Sequence, residues 1–369
     1  MNAAGKIRVL VVDDSAVVRR MIADTLSLDP AIEVVGTACD PYVARDKILE
    51  LNPDVLTLDI EMPRMDGLTF LRILQQHRPM PVVVVSSITQ AGSRAALQAM
   101  EFGAVDVLAK PTSAWNLGAL REQLALRVKG AARARLANVK APATTAQGAV
   151  KLSGAAQFSP RQLVVMGAST GGTEALKNVL TRLPDGLPGI CIVQHIPPVF
   201  SKTFAERLNE SCAFQVREAA QGDQLTPGLA LVAPGDYHLR LAWTGAAYKV
   251  SLEQGPMLHH VRPAVDVLFE SAVCAGAYAL AVLLTGMGSD GAQGMKKLKA
   301  ARAATIAQNE ETCIVYGMPR AAVELGVVDR VLPLDLIPHA ILHALQSATG
   351  GLPKSAPTPT THSSESKIR

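Results

Sequence analysis

The chain opens on a short apolar run, IRVLVV (Ile7–Val12), that stops at two aspartates, and this unit of apolar strand, polar stop and amphipathic helix recurs through residues 7–127. Candidate strands are Ile7–Val12, Glu33–Gly36, Asp54–Asp59, Pro81–Ser86 and Val105–Ala109. Between the first two, Val18, Met21, Ile22 and Leu26 fall at helical spacing, the mark of a helix with one buried face. All-apolar strands alternating with such helices predict a doubly wound parallel sheet covered on both faces. A second α/β pattern fills residues 159–350. There LVVMG leads into a helix with Ala175, Leu176, Val179, Leu180 and Leu183 on one face, and GICIVQH precedes a helix carrying Phe200, Phe204 and Leu208 at i, i+4, i+8. Further on, ALAVLLTG runs to a helix that begins after Asp290.

Between the two patterns, residues 128–158 lose their apolar periodicity after Leu136. No acidic residue occurs between Glu122 and Glu174, while Arg127, Lys129, Arg133, Arg135, Lys140, Lys151 and Arg161 do, so the stretch reads as a basic linker with a helical first part. The Pro/Ser/Thr-rich tail, residues 351–369, predicts disorder.

Composition narrows the function classes. The length of 369 residues, with 49% hydrophobic and 18% charged residues, suits two domains that each have a core. A net charge of +4 is modest for this length and does not argue for nucleic acid, and no basic recognition helix stands out. The longest apolar run, Val273–Leu284, is too short to span a membrane and reads as buried core. No secretory signal pattern precedes the first strand, and the five cysteines are scattered without C-x-x-C spacing. Cytoplasmic localisation with mostly buried, reduced thiols is the expectation.

The first pattern places chemistry at its strand ends. Asp13 and Asp14 end the first strand and Asp59 the third. In a sheet of order 2-1-3-4-5 these strands are neighbours, and the carboxylates converge on the switch-point crevice. Their repulsion calls for a cation, and hard oxygen donors select Mg²⁺. Ser86 ends the fourth strand and the fifth runs into Lys110, so a hydroxyl and an amine complete a site for a phosphoryl group. VVDDS, LDIEMPRMDGL, VVSS and AKP resemble the receiver domain of two-component response regulators. That resemblance implies phosphorylation of Asp59 by a histidine kinase. It implies Mg²⁺ held by Asp14, Asp59 and the carbonyl of Glu61 with help from Asp13, and phosphoryl oxygens bound by Ser86 and Lys110.

The second pattern turns on LVVMGASTGGTEAL (Leu163–Leu176). It lacks G-x-G-x-x-G, and the following strand ends in His195 rather than a ribose-binding acid, which disfavours a dinucleotide site. Gly167-Ala168-Ser169-Thr170-Gly171 fits the G-x-S-x-G turn of a serine nucleophile near a helix N-terminus. Such a serine needs a base and an orienting acid. His195 ends the next strand, a placement that His238, His259 and His260 lack; Asp290 follows a long buried strand, unlike its competitors Asp236, Asp266 and Asp329.

GASTGGTEAL, VQHIPPVFSKTFAERLN, APGDYHL, HHVRPAVDVLFESA, LLTGMGSDGAQGM and YGMPRAA are similar to the catalytic domain of the chemotaxis methylesterase family. The resemblance implies hydrolysis of glutamate methyl esters on methyl-accepting chemoreceptors, with deamidation of certain receptor glutamines. It implies Ser169 as nucleophile, His195 as base, Asp290 as its partner, Met287 N–H in the oxyanion hole and Thr170 beside the reacting centre, without a cofactor for the ester reaction. It further implies that the unphosphorylated receiver covers the cleft. A receiver tethered to a non-enzymatic receptor-docking module is the alternative.

Overall fold

The computed structural model describes residues 5–87, 89–110, 117–136 and 158–347, with side chains in the helix at 117–132 described from residue 123 onward. In the first domain, strands β1 (Ile7–Val12), β2 (Ile32–Ala38), β3 (Val55–Asp59), β4 (Val82–Ser86) and β5 (Asp106–Ala109) form a sheet of order β2-β1-β3-β4-β5, with every pair parallel. This is the expected doubly wound arrangement. β3 and β4 are buried along their whole length, which is why their sequences carry no polar alternation. Helices α1 (Ala16–Ser27), α2 (Pro41–Leu51), α3 (Gly67–His77) and α4 (Gln90–Glu101) each start behind a side-chain cap, supplied by Ser15, Asp40, Asp66 and Thr89. Helix α5 (Leu117–Ala132) runs through Arg127 without interruption. Most of the basic linker and the tail beyond Ser347 lie outside the described residues.

The second domain is built on a seven-stranded sheet of order β15-β14-β13-β6-β7-β10-β8, again parallel throughout. Its central strands are β6 (Leu163–Ala168), β7 (Gly189–Gln194) and β13 (Ala279–Leu283); β8 (Gln215–Glu218), β10 (Leu229–Val232), β14 (Ala304–Gln308) and β15 (Arg330–Leu332) flank them. Because β7 and β13 leave β6 on opposite sides, the switch point lies at the carboxyl end of β6, where an open α/β sheet holds its ligand. Helices α6 (Gly172–Leu180) and α7 (Phe200–Ser211) bury the apolar faces their spacing predicts. A small antiparallel sheet, β9 (Gln224–Leu225), β11 (His238–Trp243) and β12 (Tyr248–Glu253), was not evident from the sequence.

Two expectations shift. Within Val273–Leu284 only β13 is buried strand; Val273–Tyr278 is a 3₁₀ turn that leaves Tyr278 and Cys274 exposed. The five cysteines are free, but Cys39 and Cys274 face solvent while Cys191 and Cys313 are buried. The unbroken apolar run Val273–Leu284 let Cys274 read as core.

The domains share packed surface. Leu124, Val128 and Ala131 of α5 form one apolar cluster with Ile314 and Val315 of the second domain, and Met287 packs against it. Beside this, Glu101 at the end of α4 pairs with Lys177 of α6 (2.7 Å) and Arg207 of α7 (2.6 Å). Burial works against the charge of Glu101, but these two cations hold its carboxyl below the ordinary range. No helix among the described residues is long and apolar enough to cross a membrane.

Candidate active site and its cover

In the first domain, the strand-end residues converge as the topology requires. Asp13 and Asp59 are almost fully buried, Asp14 is exposed, and one carboxylate oxygen from each lies within 4.8 Å of the others. Lys110 Nζ reaches Asp59 Oδ2 at 2.6 Å and Asp13 Oδ2 at 3.1 Å. Asp59 Oδ1 accepts the N–H of Glu61, which ties the turn after β3 to the crevice. The Glu61 side chain turns away and accepts from Ser87 Oγ. Ser86 is buried at the end of β4, its hydroxyl donating to the Gly92 carbonyl. Burial pushes Asp59 up to about 6 against the pull of Lys110, and burial likewise raises Asp13. Burial acts to lower Lys110, yet its contacts with Asp59 and Asp13 carry it above the ordinary amine value. Among the described residues Asp13 Oδ2 is buried without a hydrogen bond, beside the Lys110 charge. A crowded carboxylate set with an underused oxygen fits a hard divalent cation.

In the second domain, β6 ends at Ala168 and the chain passes through Ser169 into α6. Gly171 takes φ +76°, and an added Cβ there would lie 2.7 Å from Ile314 Cδ1, so glycine is required both for the turn and for the packing. Ser169 N donates to the Thr285 carbonyl, and its own carbonyl accepts from Gly172 N and Gln194 Nε2. Gln194 Nε2 also reaches the His195 carbonyl (3.4 Å), so one amide ties the ends of β6 and β7 together. A Cβ at Gly286 would sit 2.7 Å from Ser169 Cβ, which makes that glycine the space the serine occupies.

His195 Nε2 lies 2.8 Å from Asp290 Oδ2, with both residues buried. Asp290 does not cap the helix that follows it, α9 (Ala292–Ala300), whose cap is Gly291. Instead its carboxylate accepts Val265 N (2.7 Å) and Asp266 N (2.8 Å) at the start of α8 (Val265–Ala272). Burial opposes its charge, but His195 and these two N–H groups hold the carboxyl below the ordinary range. An ionised carboxylate accepts, so the imidazole proton sits on Nε2 and the Nδ1 lone pair is free to take a proton. Among the described residues Ser169 Oγ makes no hydrogen bond, to His195 or otherwise. Such contacts commonly tighten only with substrate bound. Met287, in the loop after β13, lines the same cleft, and its N–H has no acceptor among the described residues.

The cleft, about 790 Å³, lies between the domains: Ala125 and Lys129 of α5 form one side, His195, Met287 and Asp290 the other. Thr170 Oγ1 donates to Asp106 Oδ2 of the first domain at 2.5 Å. Asp106 is ion-paired with Arg127, and Arg127 Nη2 donates in turn to the His195 carbonyl (3.2 Å). A Cβ at Gly130 would meet Met287 Sδ at 3.2 Å and Thr170 Oγ1 at 3.6 Å, so α5 turns its smallest face toward these loops. Sequence reasoning brought out Ser169, His195 and Asp290, and the family resemblance Thr170 and Met287, but Gln194, Gly286, Asp106 and Arg127 were missed. The strand-end position of Gln194 was a usable signal; the cross-domain pair left none.

Residues 164–341 match the family of the CheB methylesterase, and residues 9–121 that of the response regulator receiver domain. The chain is 53% identical over 339 residues to protein-glutamate methylesterase/protein-glutamine glutaminase 2 of Syntrophus aciditrophicus, covering 91% of this chain and 98% of that protein. It is 49% identical over 349 residues to protein-glutamate methylesterase/protein-glutamine glutaminase of Bdellovibrio bacteriovorus, covering 93% and 99%. A third relative, protein-glutamate methylesterase/protein-glutamine glutaminase 2 of Pseudomonas aeruginosa, is 50% identical over 339 residues, covering 91% and 96%.

Proposed function

The chain belongs to the CheB methylesterase family, and from that premise we propose that it hydrolyses glutamate methyl esters on methyl-accepting chemoreceptors, and deamidates receptor glutamines, under control of a phosphorylated receiver. The observation that carries this reading is the buried His195–Asp290 pair, with His195 following β7 and Ser169 following its neighbour β6, and the receiver's own helix α5 across the cleft. Ser169 Oγ attacks the ester carbonyl as His195 Nδ1 takes its proton. The oxyanion forms within reach of the Met287 N–H, and methanol leaves with the proton returned by His195. Water, activated by the same nitrogen, then breaks the acyl-serine bond and releases the glutamate carboxylate. General-base catalysis contributes about 10²–10⁴-fold in such steps, and one oxyanion donor about 3–4 kcal/mol.

Asp59 is the proposed phosphoryl acceptor from a histidine kinase. Asp13, Asp14, Asp59 and the Glu61 carbonyl would hold Mg²⁺, which when bound neutralises charge on the incoming phosphoryl group. Ser86 and Lys110 contact that group's oxygens and transmit the change. Because burial pushes the metal-free Asp59 carboxyl up to about 6, a proton must leave before the cation can bind below that pH. Mg²⁺ affinity, measured by calorimetric titration, is therefore expected to rise with pH up to about 6 and level off above it. A pH-independent affinity would count against Asp59 as a ligand.

The closed arrangement withholds the cleft, and phosphorylation favours release. A small phosphodonor should raise methanol release by the intact protein, and Asp59→Asn should remain at the basal rate. Glu101→Lys sets a cation against Lys177 and Arg207 and removes both ion pairs. Losing one to two kcal/mol of closure opens the cleft about 5–30-fold more often, and basal release should rise accordingly. Unchanged basal release in this variant would show that closure does not limit activity.

A further inference from the structure

We propose that His259, Asp266 and Asp290 form a second, inhibitory metal site in the cleft wall, selective for a borderline divalent ion of the Zn²⁺ type. His259 Nε2 lies 2.9 Å from Asp266 Oδ2 and 3.9 Å from Asp290 Oδ1, and one donor atom of each residue falls within 4.8 Å of the others. Ligands on a tetrahedral zinc with bonds of about 2.0–2.1 Å stand about 3.3 Å apart, inside the range these atoms span.

The oxygens are held before any ion arrives. Asp266 Oδ1 accepts Gly294 N at 2.6 Å, and Asp290 is fixed by Val265 N and Asp266 N. Asp266 Oδ2 faces His259 alone among the described residues. Both acids are buried, whereas the His259 side chain is 39% exposed on the cleft wall, so an ion has a path in and room for a water as fourth ligand. His259 and His260 both lie in the left-handed region (φ 51° and 62°), which bends the turn between Leu258 and Val261 so that the first ring lies against the carboxylates. Strained non-glycine backbone of this kind persists only where the surroundings enforce it. One imidazole with two carboxylates suits Zn²⁺, in contrast to the all-oxygen crevice of the receiver. An ion on Asp290 Oδ1 would draw charge from the carboxylate whose other oxygen orients His195, and so weaken the base.

The inhibitory effect rests on the esterase reading; the metal site does not. Zinc uptake is read by competition with a chelating dye on the full-length protein, with excess Mg²⁺ present to fill the receiver crevice. The wild type should take up one ion that His259→Gln binds about tenfold or more weakly. Zinc should also raise the melting temperature of the wild type more than that of the variant, which confirms that both are folded. Hydrolysis, normalised to each protein's own metal-free rate, should fall with zinc in the wild type, recover with chelator, and respond far less in His259→Gln. Equal uptake by the two proteins overturns the site, and His259-dependent uptake with no change in rate overturns its inhibitory role. A protein that takes up zinc through His259 but releases no methanol even when metal-free counts against the esterase reading and leaves the site standing.

Discussion

Ser169→Ala is expected to reduce methanol release from methylated receptors to background, a loss on the order of 10⁵–10⁶-fold in kcat. Ser169 is the only hydroxyl in the proposed scheme that forms a bond to substrate, and the alanine is nearly isosteric. It keeps the backbone contacts with Thr285, Gly172 and Gln194 that shape the turn. The fold, receptor binding and phosphorylation at Asp59 should therefore survive, which separates loss of the nucleophile from loss of the protein. Methanol release and incorporation of label from a phosphodonor, measured on one sample, provide the check. Hydrolysis within tenfold of wild type would remove Ser169 from the mechanism.

Asp290→Asn should lower kcat by about 10⁴-fold with little change in KM. An amide has only one acceptor oxygen, while three donors converge on the Asp290 carboxylate: His195 Nε2, Val265 N and Asp266 N. Whichever way the amide turns, its NH₂ faces an N–H it cannot bond. With the NH₂ at the Oδ2 position, His195 must carry its proton on Nδ1 instead, where it can no longer accept one from the serine. The kcat-against-KM split is the informative measurement, because loss of local structure would weaken substrate binding as well. A KM-dominated defect would make Asp290 a scaffold for the start of α8 rather than the partner of His195.

Much of this was legible in the chain itself, for a definable reason. Parallel strands buried on both faces announce themselves as apolar runs, and their carboxyl ends mark where polar groups can gather. Asp13, Asp59, Ser86 and Lys110 were found that way, as were Ser169 and His195. Asp290 was read as following a buried strand, but its bonds to the start of α8 could not be read, because they join segments 24 and 25 residues apart with no shared period. The β9–β11–β12 sheet was missed because β11 and β12 mix polar with apolar residues instead of running apolar, and β9 has only two residues. The contacts of Asp106 and Arg127 with the second domain depend on how two separately legible domains meet, and no hydrophobic pattern encodes that. His259 was set aside because it does not sit at a strand end; it reaches Asp266 through a turn in a backbone conformation that sequence does not announce.

Every group assigned to bond breaking belongs to the second domain, while Asp106, Arg127 and Gly130 approach it from outside. On the proposed scheme the first domain therefore acts as a brake and supplies no part of the engine. This asymmetry has a genetic signature. Random substitutions along the α4 and α5 contact faces should emerge from a screen as over-adapting, gain-of-function alleles that no longer need the kinase. Those at the ends of β6, β7 and β13 should emerge as plain losses. A map of the two phenotypes would trace the boundary between the domains without any structural measurement.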